Sequence, residues 1–375
     1  MPEAGRVDIF QDQLNSLRRE GRYRSLNLAC GYDLTSNDYL GMASHPQLRE
    51  AAIAFWENGG DIGASGSRLL RGHTDHHAAL EEYAADFFAA PCALFFASGF
   101  QANGAIFQAL PSRHDVIIFD EFVHASAREA IQYSHAKSVK VQHNDLDGFE
   151  DALKKARSGA CQKIWIALEA VYSMDGDITP LDEIYALAET YDAIVILDEA
   201  HGTGVMGKDG RGVSNDLIVQ HGYDRFVVLH TCGKALGVAG GLVCASINII
   251  DMMINAARGF IYSTAPMPVQ AYLVQHALRI VGSEDGGARR ERLAKVSRRA
   301  KQHFDGPGTH IVPIIIGDNE RSVYVADMLQ QKGWDIRSIR PPTVPEGTAR
   351  LRLSLNADMS VEKLDDFAAD YEAII

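Results

Sequence analysis

The chain has 375 residues, of which 46% are hydrophobic and 23% are charged, values that are ordinary for a soluble globular protein of about two domains. This composition excludes a collagen-like, low-complexity or disordered chain. The formal net charge of −13 argues against a general binder of nucleic acid or of anionic membranes.

The first 45 residues predict a leading helix and an extended arm. From residue 46 to 247, short apolar runs alternate with turns and stretches of helical period, which is typical of βαβ units. The runs cover residues 93–97, 116–119, 139–142, 164–168, 194–197, 226–229 and 242–245. We therefore predict an α/β fold, with a large domain over residues 46–247 whose mostly parallel sheet is covered on both faces.

Residues 248–375 predict a second, smaller α+β domain. Helical patterns over residues 289–303, 321–332 and 361–374 surround short strands at 311–316, 334–338 and 349–355. Pro313 indicates that the first of these strands lies at a sheet edge or contains a bulge, because proline cannot donate a hydrogen bond to a neighbouring strand.

Two further features bear on where the protein works. No apolar run approaches the roughly 20 residues of a membrane span, and the first residues lack the apolar core of a signal peptide. The five cysteines are few, odd in number and contain no C-x-x-C pair, which disfavours a disulfide framework or a zinc finger. We expect a cytoplasmic protein that binds neither membrane nor nucleic acid.

Reactive side chains follow several of the apolar runs. Because ligands bind beyond the carboxyl ends of parallel strands, we expect these side chains to converge on one rim of the sheet. They are Ser98, Gly99 and Phe100; His124; Glu169 and Ser173; Asp198, Glu199 and His201; and His230, Thr231 and Lys234. The set as a whole, rather than any one member, indicates a site.

Lys234 stands among small and apolar residues directly after one of the runs. A solvated surface lysine is one interpretation, since most lysines are exposed. A partly desolvated lysine is the other: its pKa is lowered and its amine is nucleophilic, as Schiff-base chemistry requires.

The segment Leu197-Asp-Glu-Ala-His-Gly admits three interpretations. A helicase-type Asp-Glu-Ala-His box would hold magnesium for ATP hydrolysis, but no G-x-x-x-x-G-K-[ST] loop accompanies it. A carboxylate at a strand end, here Asp198, can instead keep the nitrogen of a pyridinium ring protonated. A helix cap with a loop histidine is the third.

Two weaker patterns remain. Ser98-Gly-Phe opens a helical stretch, where exposed N–H groups could hold a phosphate or form an ordinary turn. His73, His76 and His77 lack a recognised ligand spacing, and residues 80–88 have the pattern of an ordinary amphipathic helix, so we predict no metal site.

An ordered series of motifs carries a resemblance to a known family. The motifs are Ser36-Asn-Asp-Tyr-Leu-Gly, Gly63-Ala-Ser-Gly-Ser-Arg-Leu-Leu-Arg-Gly, Ser98-Gly-Phe-Gln-Ala-Asn, Tyr172-Ser-Met-Asp-Gly-Asp, Leu197-Asp-Glu-Ala-His-Gly-Thr-Gly, Thr231-Cys-Gly-Lys-Ala-Leu-Gly and Ile261-Tyr-Ser-Thr. With a C-terminal Arg-x-Arg strand they run from residue 36 to about 355. The chain resembles the α-oxoamine synthase family of fold-type I pyridoxal-phosphate (PLP) enzymes, which implies that fold and PLP as the cofactor.

The resemblance implies roles for residues around PLP. Lys234 would bind PLP covalently and later move the α-proton of the amino acid. Asp198 would pair with the pyridine nitrogen, and His124 would stack on the ring and guide the amino acid. The other implied cofactor contacts are Gly99, Phe100 and Thr231 at the phosphate, Ser173 and His201 near the phenolic oxygen, and Thr264, donated to the phosphate by the neighbouring subunit of a homodimer.

The resemblance also implies substrates. Arg352 resembles the arginine that binds the amino-acid carboxylate, and positions near the acyl substrate are matched by Arg24, Asn37, Arg340 and Thr343. Asp318-Asn319 and residues 339–345 and 347–353 are most similar to members that condense L-alanine with a pimeloyl thioester of CoA or an acyl carrier protein. The products are 8-amino-7-oxononanoate, CO2 and the free thiol, in biotin biosynthesis.

Two alternatives stay open. One is another family member that uses glycine or serine with a different acyl-CoA. The other is a non-catalytic partner subunit, against which the joint presence of Lys234, Asp198 and His201 counts. Glu199 stands where the family often has aspartate, and we expect it not to touch the ring contact.

Overall fold

The computed structural model describes residues 9–20, 22–26, 28–159 and 161–375. It begins with helix α1 (Gln11–Arg19), as the leading helical pattern predicts, followed by an extended arm. The arm ends in a two-residue strand, β1 (Tyr32–Asp33), which pairs in parallel with a short strand near the C-terminus, Trp334–Asp335. The pairing of β1 therefore connects the N-terminal arm to the last third of the chain.

A seven-stranded sheet forms the centre of the larger part of the molecule. Its strands, in chain order, are β2 (Cys92–Phe96), β3 (Val116–Asp120), β4 (Lys137–Val141), β5 (Ile164–Glu169), β6 (Ala193–Asp198), β7 (Phe226–Thr231) and β8 (Gly241–Ala245). Each of the seven predicted apolar runs forms one of these strands. Their order across the sheet is β2-β8-β7-β6-β5-β3-β4. β8 is the one strand of the seven that runs in the opposite direction to the others. The prediction of a mostly parallel sheet is therefore confirmed.

Burial on both faces explains why these runs are apolar throughout, except in β4, an edge strand that is mostly exposed. Alternate residues of one strand point to opposite faces, and the sheet separates two hydrophobic cores. Ile166 of β5 belongs to one core, while its neighbour Trp165 belongs to the other. The same alternation holds in β7 for Val228 and Val227.

Helices cover both faces of this sheet. They are α2 (Pro46–Glu57), α3 (Asp75–Phe87), α4 (Gly99–Ala109), α5 (Ala125–Tyr133), α6 (Leu146–Ser158), α7 (Leu181–Thr190), α8 (Asn215–His221), α9 (Ile247–Ala256), α10 (Arg258–Ile261) and α11 (Pro268–Val281). Within the described residues, no helix combines the length and the apolar character that crossing a bilayer requires.

The C-terminal part builds a smaller, antiparallel sheet. Its elements are α12 (Glu284–His303), β9 (Ile311–Gly317), α13 (Asn319–Gln331), β10 (Trp334–Asp335), β11 (Ser338–Ile339), β12 (Ala349–Ser354) and α14 (Val361–Glu372). The strand order is β11-β12-β9. This places β9, which contains Pro313, at the edge as predicted.

The single strand predicted over residues 334–338 is wrong. The segment splits into β10, which pairs with β1, and β11, which pairs with β12. The N–H of Ile336 donates to the carbonyl of Trp334 at 3.1 Å, and this tight turn redirects the chain from one sheet to the other.

The domain boundaries 1–45, 46–247 and 248–375 stay a prediction. Helices α9 to α11 begin at the predicted boundary, with α9 starting at Ile247. They nevertheless pack against α2, α3 and α4 of the larger part. The chain passes into the smaller part at α12, which packs against α14.

Candidate active site

Three strands present polar side chains at the same rim of the large sheet. Glu169 and Asp198 are the last residues of β5 and β6 and lie directly opposite each other in the pairing register. Thr231 ends β7, the strand next to β6. Because the carboxyl ends of parallel strands meet at one edge, these groups converge as the sequence predicts.

His230 does not join them, contrary to our expectation. It is buried, its ring stacks on Phe88 with centroids 3.6 Å apart, and its Nδ1 lies 2.9 Å from the Thr203 hydroxyl. The physical reason is strand alternation: His230 and Thr231 are consecutive in β7 and point to opposite faces.

A first hydrogen-bond network links Asp198 to His124. Asn103 of α4 donates from its Nδ2 to Asp198 Oδ2 and to the Ser126 hydroxyl oxygen, both at 2.9 Å. That hydroxyl lies 2.8 Å from His124 Nδ1, which also accepts the Ser126 N–H at 3.2 Å. Nδ1 is thus an acceptor, and the ring proton of neutral His124 sits on Nε2.

A second network links Lys234 to Arg352. Lys234 Nζ lies 2.8 Å from His201 Nε2, and His201 Nδ1 lies 2.6 Å from the Tyr39 hydroxyl. The Tyr39 hydroxyl donates to Asn37 Oδ1 at 2.9 Å. Arg352 Nη2 donates to the same Asn37 oxygen at 3.0 Å and to the Tyr39 hydroxyl at 3.3 Å. The network joins the amine to residues from the N-terminal arm and from β12.

The surroundings of Lys234 make its ammonium group easier to deprotonate. Burial is the largest influence and lowers its pKa to about 8, although the charges of Asp198 and Glu169 act in the opposite direction. Burial and the charge of Lys234 also hold the pKa of His201 well below its usual range. At neutral pH, His201 is an uncharged hydrogen-bond partner of the amine.

Glu169 is a buried carboxyl beside the charged Asp198. Burial, followed by the charge of Asp198, raises the pKa of Glu169 to about 8. Its Oε2 accepts the Ser173 N–H at 3.2 Å, whereas Oε1 is buried without a partner among the described residues. The charge of Asp198 thus favours the protonated form of Glu169, as expected when like charges share a site.

The start of α4 forms a cradle for an anion. Ser98 caps the helix and accepts the Gln101 N–H, which leaves Gly99 and Phe100 in the first turn, where helix carbonyls cannot reach the N–H groups. A Cβ added at Gly99 would lie 3.2 Å from the Thr231 hydroxyl oxygen. The glycine thus brings the helix end against β7, and the arrangement suits a phosphate.

Ser173 and Arg352 lie against each other at the side of the site. Arg352 Nε donates to the Ser173 carbonyl at 2.6 Å, and Arg352 Nη1 donates to the Ser354 hydroxyl at 3.0 Å. Arg350 of the same strand pairs with Asp175 in the same loop. β12 therefore holds the loop that follows β5.

The predicted acyl-substrate residues line two adjoining cavities. One, of about 590 Å³, includes His124, Ser173 and Thr343 in its lining. The other, of about 520 Å³, includes Arg24, Arg340 and Thr343. Thr343 lines both, so the two cavities adjoin between His124 and the N-terminal arm. Asn37 lines neither of them and lies with Arg352.

The side chains of two predicted cofactor-binding residues are exposed to solvent. Thr264 is exposed after α10, and Phe100 is 53% exposed. Glu199 turns away from Asp198: its Oε1 accepts the N–H and hydroxyl of Ser214 at 2.7 and 2.8 Å. The expectation that Glu199 leaves the ring contact untouched agrees with this geometry.

Sequence reasoning gave no role to Tyr39, Asn103 or Glu169. Tyr39 and Asn103 stand 162 and 95 positions along the chain from the partners they contact, so no spacing rule could pair them. Membership in the quoted motifs was the signal that could have drawn attention to both, and a strand-end position was the signal for Glu169.

These residues fit PLP. They offer a low-pKa amine, a buried carboxylate for a ring nitrogen, a glycine-bounded helix start for a phosphate, and an orphaned buried carboxyl oxygen on Glu169 at the rim. Within the described residues, no cluster of histidine, cysteine and acidic side chains could hold a metal ion.

Comparison with known proteins agrees with the site. Residues 31–370 match the family described as aminotransferase class I and II. The 8-amino-7-oxononanoate synthase of Chromobacterium violaceum is 42% identical over 338 residues, covering 88% of this chain and 85% of that protein.

Solved structures show the same fold. A serine palmitoyltransferase from S. paucimobilis, solved with a bound PLP–myriocin adduct, has a TM-score of 0.88 at 25% identity, covering 98% of this chain and 96% of that one. The 8-amino-7-oxononanoate synthase of Francisella tularensis has a TM-score of 0.77 at 28% identity, covering 92% and 97% of the two chains. The chain belongs to the aminotransferase class I and II family and, within it, to the PLP-dependent α-oxoamine synthases.

Proposed function

We propose that the protein condenses L-alanine with a pimeloyl thioester, releasing CO2 and the free thiol and forming 8-amino-7-oxononanoate. The observation that carries this proposal is the Lys234 amine, held 2.8 Å from His201 and facing the charge of Asp198. The identity of 42% with a curated 8-amino-7-oxononanoate synthase supports the choice of substrates.

When bound, PLP withdraws electrons from the α-carbon of an attached amino acid, which makes a proton or a carboxyl group at that carbon labile. Asp198 would keep the ring nitrogen protonated, and the Asn103 bond holds the carboxylate in place for that contact. Lys234 would bind the cofactor and, once released, take the α-proton. Both steps need the neutral amine, and the lowered pKa of Lys234 makes that form easier to reach at neutral pH.

Arg352 would bind the carboxylate of alanine. Its guanidinium is already oriented by the Ser173 carbonyl and the Asn37 amide oxygen, so little side-chain freedom is lost on binding. His124 would stack on the cofactor ring and direct its Nε2–H toward the substrate. Gly99, Phe100 and Thr231 would hold the phosphate, and Ser173 and His201 would lie near the phenolic oxygen.

The acyl thioester would lie along the two cavities that share Thr343. The reacting carbonyl would stand near His124, and the rest of the donor would extend past Thr343 toward Arg340 and Arg24. Two guanidinium groups at the far end suit the phosphate groups that a CoA or carrier-protein thioester carries.

We propose that the protein works as a cytoplasmic homodimer. Thr264 is exposed, which leaves it free to reach the cofactor phosphate of a second copy. Large apolar side chains at the same side of the molecule are also exposed: Leu70 at 85% and Tyr262 at 72%. A second copy would cover such side chains, as subunit interfaces commonly do.

The test uses purified protein loaded with PLP. L-alanine with pimeloyl-CoA, or with the carrier-protein thioester, should release thiol and CO2 in equal amounts. The panel also contains glycine and serine, each with acetyl-, succinyl- and palmitoyl-CoA. Faster turnover of serine with palmitoyl-CoA would contradict the proposed substrates and favour an activity like that of the palmitoyltransferase with the TM-score of 0.88.

A further inference from the structure

We propose that His143 is a positioning residue of the cofactor site, because its ring ties the turn that carries His124 to the loop that carries Ser173. The proposal rests on the cofactor site described above but not on the identity of either substrate. None of the roles assigned so far uses His143.

The imidazole bridges two carboxylates from different elements. His143 lies two residues after β4, and its Nδ1 is 3.0 and 3.1 Å from the two oxygens of Asp120, the last residue of β3. Its Nε2 is 2.8 Å from Oδ2 of Asp177, in the loop after β5. Carboxylates only accept hydrogen bonds, so both ring nitrogens donate and the ring is a cation.

The electrostatics agree with that assignment. Burial disfavours the cation, but the hydrogen bonds to Asp120 and Asp177 outweigh it and raise the pKa of His143 to about 10. Asp120 is fully buried. A buried carboxylate without a cationic partner is strongly destabilising, so the ring neutralises charge at the point where the two loops meet.

On the Asp120 side, the carboxylate shapes the turn that leads to His124. Its Oδ1 accepts the Phe122 N–H at 2.8 Å, and its carbonyl accepts the Val123 N–H at 3.2 Å. The Phe122 ring lies 4.7 Å from the His143 ring. His124 follows directly and caps α5.

On the Asp177 side, the same ring closes the loop that contains Ser173. The Tyr172 N–H donates to the Asp177 carbonyl at 2.9 Å, and Asn144 Nδ2 donates to Asp177 Oδ2 at 2.7 Å. The Tyr172 ring packs edge-on against His143 with centroids 4.4 Å apart. Ser173 lies directly after Tyr172, so its place depends on this closure.

The two loops both line the cavity near His124. Phe122 and His124 come from one loop, and Tyr172 and Ser173 come from the other. His143 is outside that lining and acts through its neighbours. Without the bridge, two carboxylates would face each other and the two loops would separate.

The test compares three variants in the full-length protein. His143→Gln removes the cation, and Asp177→Asn removes the carboxylate charge on the side of the Ser173 loop while keeping the Asp120 pair. His303→Gln is the matched control, because it breaks a histidine–carboxylate contact of 2.7 Å to Asp365 between helices. The readouts are the PLP dissociation constant, the visible circular dichroism of bound PLP and the melting temperature.

We expect His143→Gln to raise the PLP dissociation constant about tenfold and Asp177→Asn about threefold, since each loses charged hydrogen bonds. Both variants should also change the visible circular dichroism of bound PLP. His303→Gln should change neither the PLP dissociation constant nor the circular dichroism. The proposal would be overturned if folded variants had lower melting temperatures but unchanged PLP affinity and circular dichroism. His143 and its two carboxylate partners would then have a structural role only. Should His143→Gln fail to fold, Asp177→Asn decides between the two results. A wild-type protein that binds no PLP would instead contradict the proposed function itself.

Discussion

The cofactor side and the acyl side of the site are built in different ways. On the cofactor side, Asp198 and Lys234 are each held by a hydrogen-bond partner from another element, Asn103 and His201. On the acyl side, Arg24 is exposed on the N-terminal arm and lines an open cavity. The chemistry is thus set by strand ends in a rigid sheet, whereas the fit to the acyl donor depends on loops and the arm.

The largest effect on activity should come from Lys234→Ala, which changes the central residue of the cofactor side. Removing the group that we propose binds PLP and moves the proton should lower kcat at least about 10⁴-fold, the upper range for general acid–base catalysis. The measurement is turnover together with the visible absorbance of the purified protein. Wild-type absorbance and turnover in this variant would remove Lys234 from the mechanism. Lys208→Ala, on the short 3-10 helix outside the site, is the control.

Arg352→Lys should have the next largest effect, because it tests the junction between the two sides. Lysine cannot reproduce the bonds that Arg352 makes to Ser173, Ser354 and Asn37. We expect KM for the amino acid to rise about 10- to 100-fold, as the loss of a charged hydrogen bond implies. The KM for the acyl thioester should change far less.

The control for that prediction is Arg299→Lys, which alters an arginine paired with Asp365 on the surface of α12. An equal rise in both KM values for Arg352→Lys would show that the arginine serves the whole site rather than the amino-acid carboxylate. Normal kinetics would exclude it from substrate binding.

Asn103→Ala should act on the cofactor side alone and more weakly. Asp198 keeps the bond from the Ala200 N–H at 2.9 Å but loses the one from Asn103. We expect about a tenfold fall in PLP affinity from the loss of one bond to a charged group, with KM for the acyl thioester unchanged. Asn255→Ala, an exposed asparagine of α9 that bonds a backbone carbonyl, is the matched control, and an equal effect there would contradict the role of Asn103.

Glu199→Gln should have the smallest effect on activity but a clear one on stability. Burial raises the pKa of Glu199 to about 7. Between its ordinary pKa and this value, the folded state binds more protons than the unfolded state. The free energy of unfolding therefore falls as pH rises through that window and levels off above it.

Glutamine keeps the acceptor for Ser214 and cannot ionise, so Glu199→Gln should flatten this decline. Above pH 7 the gain in stability should be at most about 3 kcal/mol, from about 1.4 kcal/mol per pKa unit. Denaturant unfolding at several pH values measures it, with the exposed Glu183→Gln as control. A steeper decline in the variant would refute the buried-acid assignment.

The parts of the fold that periodicity can encode were predictable. Each apolar run of the large sheet became a strand, and burial on both faces explains all of them except the mostly exposed edge strand β4. The order of strands, the reversed direction of β8 and the division of residues 334–339 between two sheets depend on distant partners. No local pattern contains that information.

The site divides in the same manner. Asp198 and Lys234 stood out because reactive side chains follow buried strands, while the roles of Arg352 and Thr264 came only from the family resemblance. His230 misled because strand position does not say which face a side chain takes. The contacts that Tyr39, Asn103 and His143 make become visible only when the chain is folded.

The covalent attachment of PLP to Lys234 is the most direct test of the whole account. Borohydride reduction of the loaded protein, digestion and mass spectrometry should find the added mass on the peptide that contains Lys234. The same mass on another lysine, or on none, would contradict the mechanism proposed for this protein.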